Sequence, residues 1–175
     1  MRELPKIILR PLAAEDRESF IRGIQPAFKQ AFVEKYGDDG TEVIPREDVE
    51  GAFEEPGAES YQILLEGRMV GGAVVTWAPE TRRAELLLLY VDVDCHSKGI
   101  GQGAWQAIRE RYPQAEVWET FTPYFETRNI HFYVNKCGFH VVEFFNPKHP
   151  MPGEEDAQGE MAYFLRFEKR MGRES

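Results

Sequence analysis

The pattern of apolar and polar positions along the chain switches several times between the period of a strand and the period of a helix. Short apolar or alternating runs that are bounded by turn residues predict seven strands. Glu66 and Gly67 form a turn that joins the second and third of these as a hairpin. The predicted strands are KIILRPL, SYQILLEG, RMVGGAVVTWA, RAELLLLYVDV, AEVWETF, FHVVEFF and EMAYFLRFEK.

Helical periodicity fills the segments between these strands. One helix is predicted over residues 13–24, and Pro26 opens a second one, PAFKQAFVEKY, because proline suits the first turn of a helix. A short acidic helix, REDVEGAFEE, follows a loop rich in glycine and aspartate. Two later helices are predicted, one from about Gly99 to Arg111 and one over TRNIHFYVNKC that stops at Gly138.

The strand RAELLLLYVDV is apolar on both faces, which predicts a central strand covered on both sides. Simple alternation along it places Glu85, Leu87, Leu89 and Val91 on one face. The element order β-α-α-β-β-β-α-β-α-β-β predicts an α+β domain (an α/β mixed sheet), with about seven strands flanked by about four helices. A chain of 175 residues with 42% hydrophobic content is expected to form a single domain over residues 1–175.

Charge and cysteine content narrow the range of partners and compartments. The net charge of −9 opposes nucleic-acid binding, which needs clustered lysine and arginine, and suits a small neutral or cationic partner. No apolar run reaches the roughly 18 residues of a membrane span, and no secretory signal is visible at the N-terminus. Cys95 and Cys137 are too few for a disulfide framework, so we expect free thiols and a cytoplasmic location. A monomer or homodimer is the expected oligomeric state.

The segment DVDCHSKGIGQGAW places Gly99, Gly101 and Gly103 between the central strand and a helix. Glycines let a backbone approach an anion, and the first turn of a helix offers unpaired N–H groups, so a phosphate-bearing ligand is indicated. The pattern G-x-x-x-x-G-K-[ST] is absent, which excludes a P-loop. Ala104 completes a dinucleotide fingerprint, but the loop Asp94 to Lys98 is too long for it and the chain offers only one βαβ unit.

The stretch VDVDCHSKGIG resembles motif A of the GNAT N-acetyltransferase superfamily, a strand valine followed by [Gln/Arg]-x-x-Gly-x-[Gly/Ala]. Val91 takes the place of the valine, and Gly99 and Gly101 take the places of the glycines. His96 stands where the family has glutamine or arginine. Histidine lacks the forked donor geometry of arginine, so this position departs from the family pattern.

The stretch NIHFYVNKCGF resembles the second block of the same superfamily. Asn129, Tyr133, Gly138 and Phe139 take the family's positions, although four residues separate Tyr133 from Gly138 where the family usually has three. The resemblance implies the GNAT fold, acetyl-CoA as cosubstrate, and no metal. Pantetheine would pair with the backbone of the central strand, and the pyrophosphate would bind the N–H groups of the glycine loop. The residues expected to contact acetyl-CoA are Tyr90, Val91, Val93, His96, Ser97, Lys98, Gly99, Ile100, Gly101, Gln102, Asn129 and Tyr133.

The activity implied by the resemblance is acetyl transfer to a primary amine by direct attack in a ternary complex. Tyr133 is the candidate general acid for the CoA sulfur, and the alternative is an aromatic residue of the core. Glu85 is the candidate general base, and the alternatives are Glu119, a water chain, or a structural ion pair of Glu85 with Arg82 or Arg83. Asn129 is expected at the cofactor, or otherwise as a helix cap.

The acceptor is expected to be a small-molecule or peptide amine, and the acidic loop EKYGDDGTE favours a cationic one. A GNAT-like module that binds acyl-CoA without catalysis, as a sensor or interaction domain, is the alternative function. Zinc is a further possibility, because Cys95 with His96 and Cys137 with His140 carry ligand atoms. The spacing of these pairs does not match a zinc finger or ribbon, so no metal is expected.

Overall fold

The computed structural model describes residues 3–95 and 99–172, and it contains a seven-stranded sheet with helices on both faces. The strands are β1 (Ile8–Pro11), β2 (Ala58–Leu65), β3 (Arg68–Ala78), β4 (Arg83–Val91), β5 (Val117–Pro123), β6 (His140–Phe145) and β7 (Phe164–Arg170). The helices are α1 (Arg17–Tyr36), α2 (Arg46–Phe53), α3 (Ile100–Arg111) and α4 (Thr127–His131). No helix in the described ranges is both long and apolar enough to cross a bilayer.

The sheet has the order β1-β2-β3-β4-β5-β7-β6, and only the contact between β4 and β5 is parallel. The predicted mixed α+β fold and its order of elements are therefore confirmed. β4 stands in the middle of the sheet, as its leucine run predicted. Leu86 packs with Ile100 and Trp105 of α3 on one face, while Leu88 packs with Phe20 of α1 on the other.

The predicted start of a second helix at Pro26 is wrong, because α1 continues through this proline as one helix of 20 residues. Proline inside a helix removes one hydrogen bond and costs about 3 kcal/mol. Packing offsets this cost, since Phe20 and Ile24 before the proline and Phe32 after it are all buried. The helix also begins at Arg17, later than expected.

A β-bulge interrupts β4 in its middle. Val75 of β3 pairs with Leu86, and the next residue on β3, Val74, pairs with Leu88, so Leu87 is an extra residue without a partner on β3. One extra residue bends the strand and reverses which side chains point to each face beyond it. The two halves of β4 therefore present opposite sets of positions to α1 and to α3.

The expected common face of Glu85, Leu87, Leu89 and Val91 is wrong for this reason. Leu87 packs on the α1 side of the sheet, whereas Leu89 and Val91 pack on the α3 side. Glu85 precedes the bulge and shares the α1 side with Leu87 by alternation. The sequence contains no glycine or proline in this segment that would have indicated the bulge.

Candidate active site

The two parallel strands at the centre of the sheet separate after four residue pairs. Arg83 to Leu86 of β4 pair with Val117 to Thr120 of β5, and beyond that point β4 pairs with β3 alone. At the point of separation the Thr120 hydroxyl donates a hydrogen bond of 2.9 Å to the carbonyl oxygen of Leu86. The bulge at Leu87 follows directly, so β4 turns away from β5 and a wedge opens between them.

A cleft of about 610 Å³ occupies this region of the molecule. Its walls come from the end of β4, the first turn of α3, α4 with the turn after it, the middle of α1, and residues 3–5. Of the residues expected at acetyl-CoA, it brings together Tyr90, Val91, Gly99, Ile100, Gly101, Gln102, Asn129 and Tyr133. Val93 is 40% exposed in a short 3-10 turn and does not line the cleft. His96, Ser97 and Lys98 lie outside the described residues.

Gly99 has the conformation that motif A needs at the start of α3. Its φ of +75° lies in the left-handed region, which favours glycine. A β-carbon there would also stand 3.4 Å from Cδ of Pro5. The first turn of α3 contains no acidic side chain, and its first N–H groups, which have no partner within the helix, border the cleft. This end of the cleft therefore suits a diphosphate.

Tyr133 lies at the opposite wall of the cleft, and it is 5% exposed. A π-helical turn over Phe132–Lys136 follows α4, with a hydrogen bond of 3.0 Å from the Cys137 N–H to the Phe132 carbonyl. A π turn holds one residue more than an α turn, so it accommodates the extra residue between Tyr133 and Gly138. The departure in spacing is thus absorbed after Tyr133, and the phenol stays at the cleft.

Burial raises the pKa of Tyr133 well above its ordinary value, and a hydrogen bond between Tyr133 and Thr120 offsets only part of that shift. The phenol therefore holds its proton across the neutral range, which a general acid requires. Tyr90 lines the same cleft with its ring buried against Phe20. Gly23 of α1 makes room for that ring, because a β-carbon there would come within 2.6 Å of it.

Glu85 is partly buried, and it is not among the residues that line the cleft. Burial raises its pKa to about 7, and the negative charges of Glu119 and Glu55 add to the shift. Among residues 3–95 and 99–172, neither Arg82 nor Arg83 forms an ion pair with Glu85, which was the structural alternative to its role as a base. The pKa suits a base, but the position is on the α1 side of β4, before the bulge.

Glu119, the alternative base, belongs to a network of ion pairs on the open face of β5, β6 and β7. Arg166 donates hydrogen bonds of 2.9 Å to Glu119, 2.8 Å to Glu168 and 2.9 Å to Glu143. Arg83 pairs with Glu168 at 3.2 Å. Glu119 is thus engaged by Arg166, and it is not among the residues that line the cleft.

Glu126 was missed by sequence reasoning, although it lines the cleft and is only 4% exposed. Its Oε1 atom is buried and has no hydrogen-bond partner among the described residues. Burial raises its pKa to about 7, and the charge of Glu34 adds to this while Arg128 opposes it. Glu126 precedes α4 and makes no capping hydrogen bond. The signal in the sequence is its position seven residues before Tyr133, two helical turns away on the same side.

Asp92, Asp94 and Cys95 bring possible metal-ligand atoms within 4.8 Å of one another beside the glycine loop. The Cys95 thiol donates to Asp94 at 3.5 Å and accepts from Arg68 at 3.6 Å. Burial raises the pKa of this thiol, so it remains protonated. Both cysteines are free and buried.

Comparison with known proteins agrees with this geometry. A curated relative, Uncharacterized protein YrkN of Bacillus subtilis (strain 168), is 48% identical over 158 residues, which are 87% of this chain and 85% of the relative. The PaiA N-acetyltransferase of Thermoplasma acidophilum, solved in complex with coenzyme A, has a TM-score of 0.67 at 18% identity, covering 94% of this chain and 98% of that one.

The ribosomal-protein-S18-alanine N-acetyltransferase of Escherichia coli gives a TM-score of 0.65 at 12% identity, with 97% of this chain and 96% of that chain covered. At these identities the likeness of the solved structures concerns the fold. The model of the acetyltransferase (GNAT) family matches residues 21–139, which include both motifs and all of the cleft lining except residues 3–5. The chain therefore belongs to the acetyltransferase (GNAT) family.

Proposed function

We propose that the protein transfers an acetyl group from acetyl-CoA to a primary amine by direct attack in a ternary complex. The observation that carries this proposal is the cleft itself. It joins the separated edge of β4, the start of α3 at Gly99 and the buried phenol of Tyr133. These are the three parts that a thioester donor needs: a wall for its arm, a diphosphate site, and a proton source near its sulfur.

The described residues fit acetyl-CoA in this orientation. Residues 87–90 of β4 are not paired with β5, so this edge of the strand can face the pantetheine amides. The first-turn N–H groups of α3 face the diphosphate end. Lys136 lines the cleft and adds positive charge to it.

Tyr133 would protonate the sulfur as the bond between the acyl carbon and the sulfur breaks. Its raised pKa keeps the proton in place until a thiolate forms beside it. Holding amine and thioester together supplies much of the rate, because the attack becomes an effectively intramolecular step. Acetyl-CoA supplies the acetyl group, and the protein orients the two substrates and transfers protons.

The acceptor in this proposal is a small-molecule or peptide amine, and the acidic character of the chain favours a cationic one. We propose a cytoplasmic enzyme, since both cysteines are free thiols. The oligomeric state, monomer or homodimer, remains an expectation from the sequence.

The test is an assay of the purified protein with acetyl-CoA and a panel of primary amines. Free thiol release and the mass of the acetylated amine are both measured. We expect thiol release that depends on the amine, and we expect Tyr133→Phe to lower kcat by about 10-fold or more at nearly unchanged CoA affinity. If calorimetry shows CoA binding and no amine is acetylated, the protein is a non-catalytic acyl-CoA module.

A further inference from the structure

We propose that Glu126 binds the ammonium group of the acceptor and takes its proton, and that the acceptor is a cationic primary amine on an apolar stem. This inference rests on the proposed acetyl transfer and assigns the acceptor end of the same cleft. It replaces Glu85, Glu119 and water as the proton acceptor.

The first support is the position of an unpartnered buried atom. Oε1 of Glu126 is buried in a side chain that is 4% exposed, and no described residue donates a hydrogen bond to it. A buried carboxylate oxygen without a donor is costly unless a ligand supplies one. Glu126 borders the cleft, so a bound ammonium can supply that donor.

The second support is the arrangement of Glu126 and Tyr133. Two helical turns separate them along one side of α4 and the π turn, a rise of about 10 Å. Both residues border the same cleft, and the charge of Glu126 contributes to the raised pKa of Tyr133. A base and an acid at this separation can flank a thioester, with the amine on one side and the sulfur on the other.

The third support is the lining of the acceptor end. Ala27, Phe28 and Ala31 of α1 face the same cleft with apolar side chains, which suit an alkyl or aryl stem. The charged groups around Glu126 are Glu34 on α1 and Arg128 on α4, which form an exposed ion pair of 3.5 Å at the mouth. Glu126 is thus the buried carboxyl group at the acceptor end, and the charges of Glu34 and Arg128 largely cancel each other.

Glu126 and Tyr133 together carry the protons of the proposed reaction. The acceptor ammonium gives one proton to the Glu126 carboxylate and becomes a neutral amine, whose lone pair forms the new bond to the acyl carbon. The bond from that carbon to sulfur breaks, the thiolate takes the Tyr133 proton, and the acylated nitrogen returns a proton to the phenolate. The products are the N-acetyl amine and the CoA thiol, and Glu126 then releases its proton to water.

The pKa of Glu126 agrees with this role, because a value of about 7 leaves half the groups ready to accept a proton at neutral pH. Amine binding should strengthen as the pH rises through 7, since only the carboxylate attracts the ammonium. Tyr133, Glu34 and Arg128 face the same group, and His131 and Lys136 also line the cleft.

The test measures binding to the CoA complex of the intact protein, which needs no turnover. Calorimetry at pH 8 compares n-hexylamine with 1-hexanol, which has nearly the same shape without the charge. We expect the amine to bind the wild-type protein about 10- to 100-fold more tightly than the alcohol, because a hydrogen bond to a charged group has that strength. Glu126→Gln should reduce this ratio towards one at unchanged CoA affinity.

Glu85→Gln is the matched control, since it removes a partly buried carboxyl with the same pKa that does not border the cleft. It should keep the ratio of the wild-type protein. The proposal is overturned if the wild-type protein does not prefer the amine, or if Glu126→Gln keeps the preference. Failure of the proposed function gives a different result: amine binding that depends on Glu126, with no acetylated product.

Discussion

Two carboxyl groups of this protein have nearly the same acidity and lie in different surroundings. Burial raises the pKa of both Glu85 and Glu126 to about 7, and a neighbouring glutamate contributes in each case. Glu126 borders the cleft with an unpartnered oxygen, whereas Glu85 lies on the α1 side of β4 and outside the cleft lining. A raised pKa therefore does not identify the base of an enzyme until the position of the group is known.

The difference comes from local geometry in two strands. The bulge at Leu87 reverses the faces of β4, so residues that would stand beside Val91 in a regular strand are separated from it. Glu126 lies three residues after the end of β5 and directly before α4, and its neighbour Phe125 packs against Phe32 of α1. A short connection and one extra residue thus decide which acid reaches the acceptor.

The largest expected effect is on turnover. Glu126→Gln should lower kcat/KM for n-hexylamine at pH 8 by about 100-fold or more, while Glu85→Gln stays near the wild-type rate. The wild-type rate should rise with pH along a limb centred near 7, since the carboxylate is the active form. This rise should be absent in Glu126→Gln when initial rates are measured between pH 5.5 and 9. If the wild-type protein, Glu126→Gln and Glu85→Gln all show the same rise of rate with pH, Glu126 is not the base.

The next effect is on stability, and its sign separates a functional carboxyl from a structural one. The folded state binds the Glu126 proton more tightly than the unfolded state, whose carboxyl has a pKa of 4.5, so stability falls as the pH rises from 4.5 to 7. The loss amounts to at most about 3 kcal/mol. Urea unfolding at pH 4.5 and 8 should show a clearly larger loss in the wild-type protein than in Glu126→Gln, which keeps only the contribution of Glu85.

Glu85→Gln should reduce the loss by less than Glu126→Gln does, because Glu85 is partly exposed and solvent screens its charge. If stability falls with pH equally in the wild-type protein and in Glu126→Gln, burial does not raise the pKa of Glu126.

A smaller effect tests the point where β4 and β5 separate. Thr120→Val removes the hydroxyl that donates to the Leu86 carbonyl, and it should lower the free energy of unfolding by about 1 to 2 kcal/mol. Thr122→Val is the matched control, because Thr122 is equally buried on the same face of β5. Equal losses in both variants would argue against a special contribution of Thr120 at the bulge.

The smallest effect concerns the ion pair at the mouth of the cleft. Arg128→Gln should raise the pKa of Glu126 and move the activity limb to higher pH, and Glu34→Gln should move it to lower pH. Both shifts should stay below about half a pH unit and shrink in high salt, since the pair is exposed. Rate profiles at two ionic strengths check this, and shifts in the same direction would contradict it.

Much of the donor side could be predicted from the sequence. The leucine run placed β4 at the centre of the sheet, and Gly99 marked the start of α3, because strand burial and a left-handed turn each leave a strong local signal. The second motif indicated Tyr133. Its irregular spacing was visible, but only the structure shows that a π turn absorbs it.

The acceptor side could not be predicted in the same way. α1 continues through Pro26 because packing on the sheet outweighs a local preference, and no local signal reports that packing. The bulge at Leu87 lies within a run of four leucines, and nothing in that run distinguishes the extra residue from its neighbours. The burial of Glu126 depends on α1 and α4 meeting at the end of β5, which is a property of the assembled fold.

The most direct test of the account is a crystal structure of the protein with CoA and n-hexylamine. We predict CoA in the cleft between β4 and β5, its diphosphate at the first turn of α3, and its sulfur beside Tyr133. The amine nitrogen should lie about 3 Å from the Glu126 carboxylate, at hydrogen-bond distance. An amine beside Glu85, or CoA bound outside this cleft, would contradict the account.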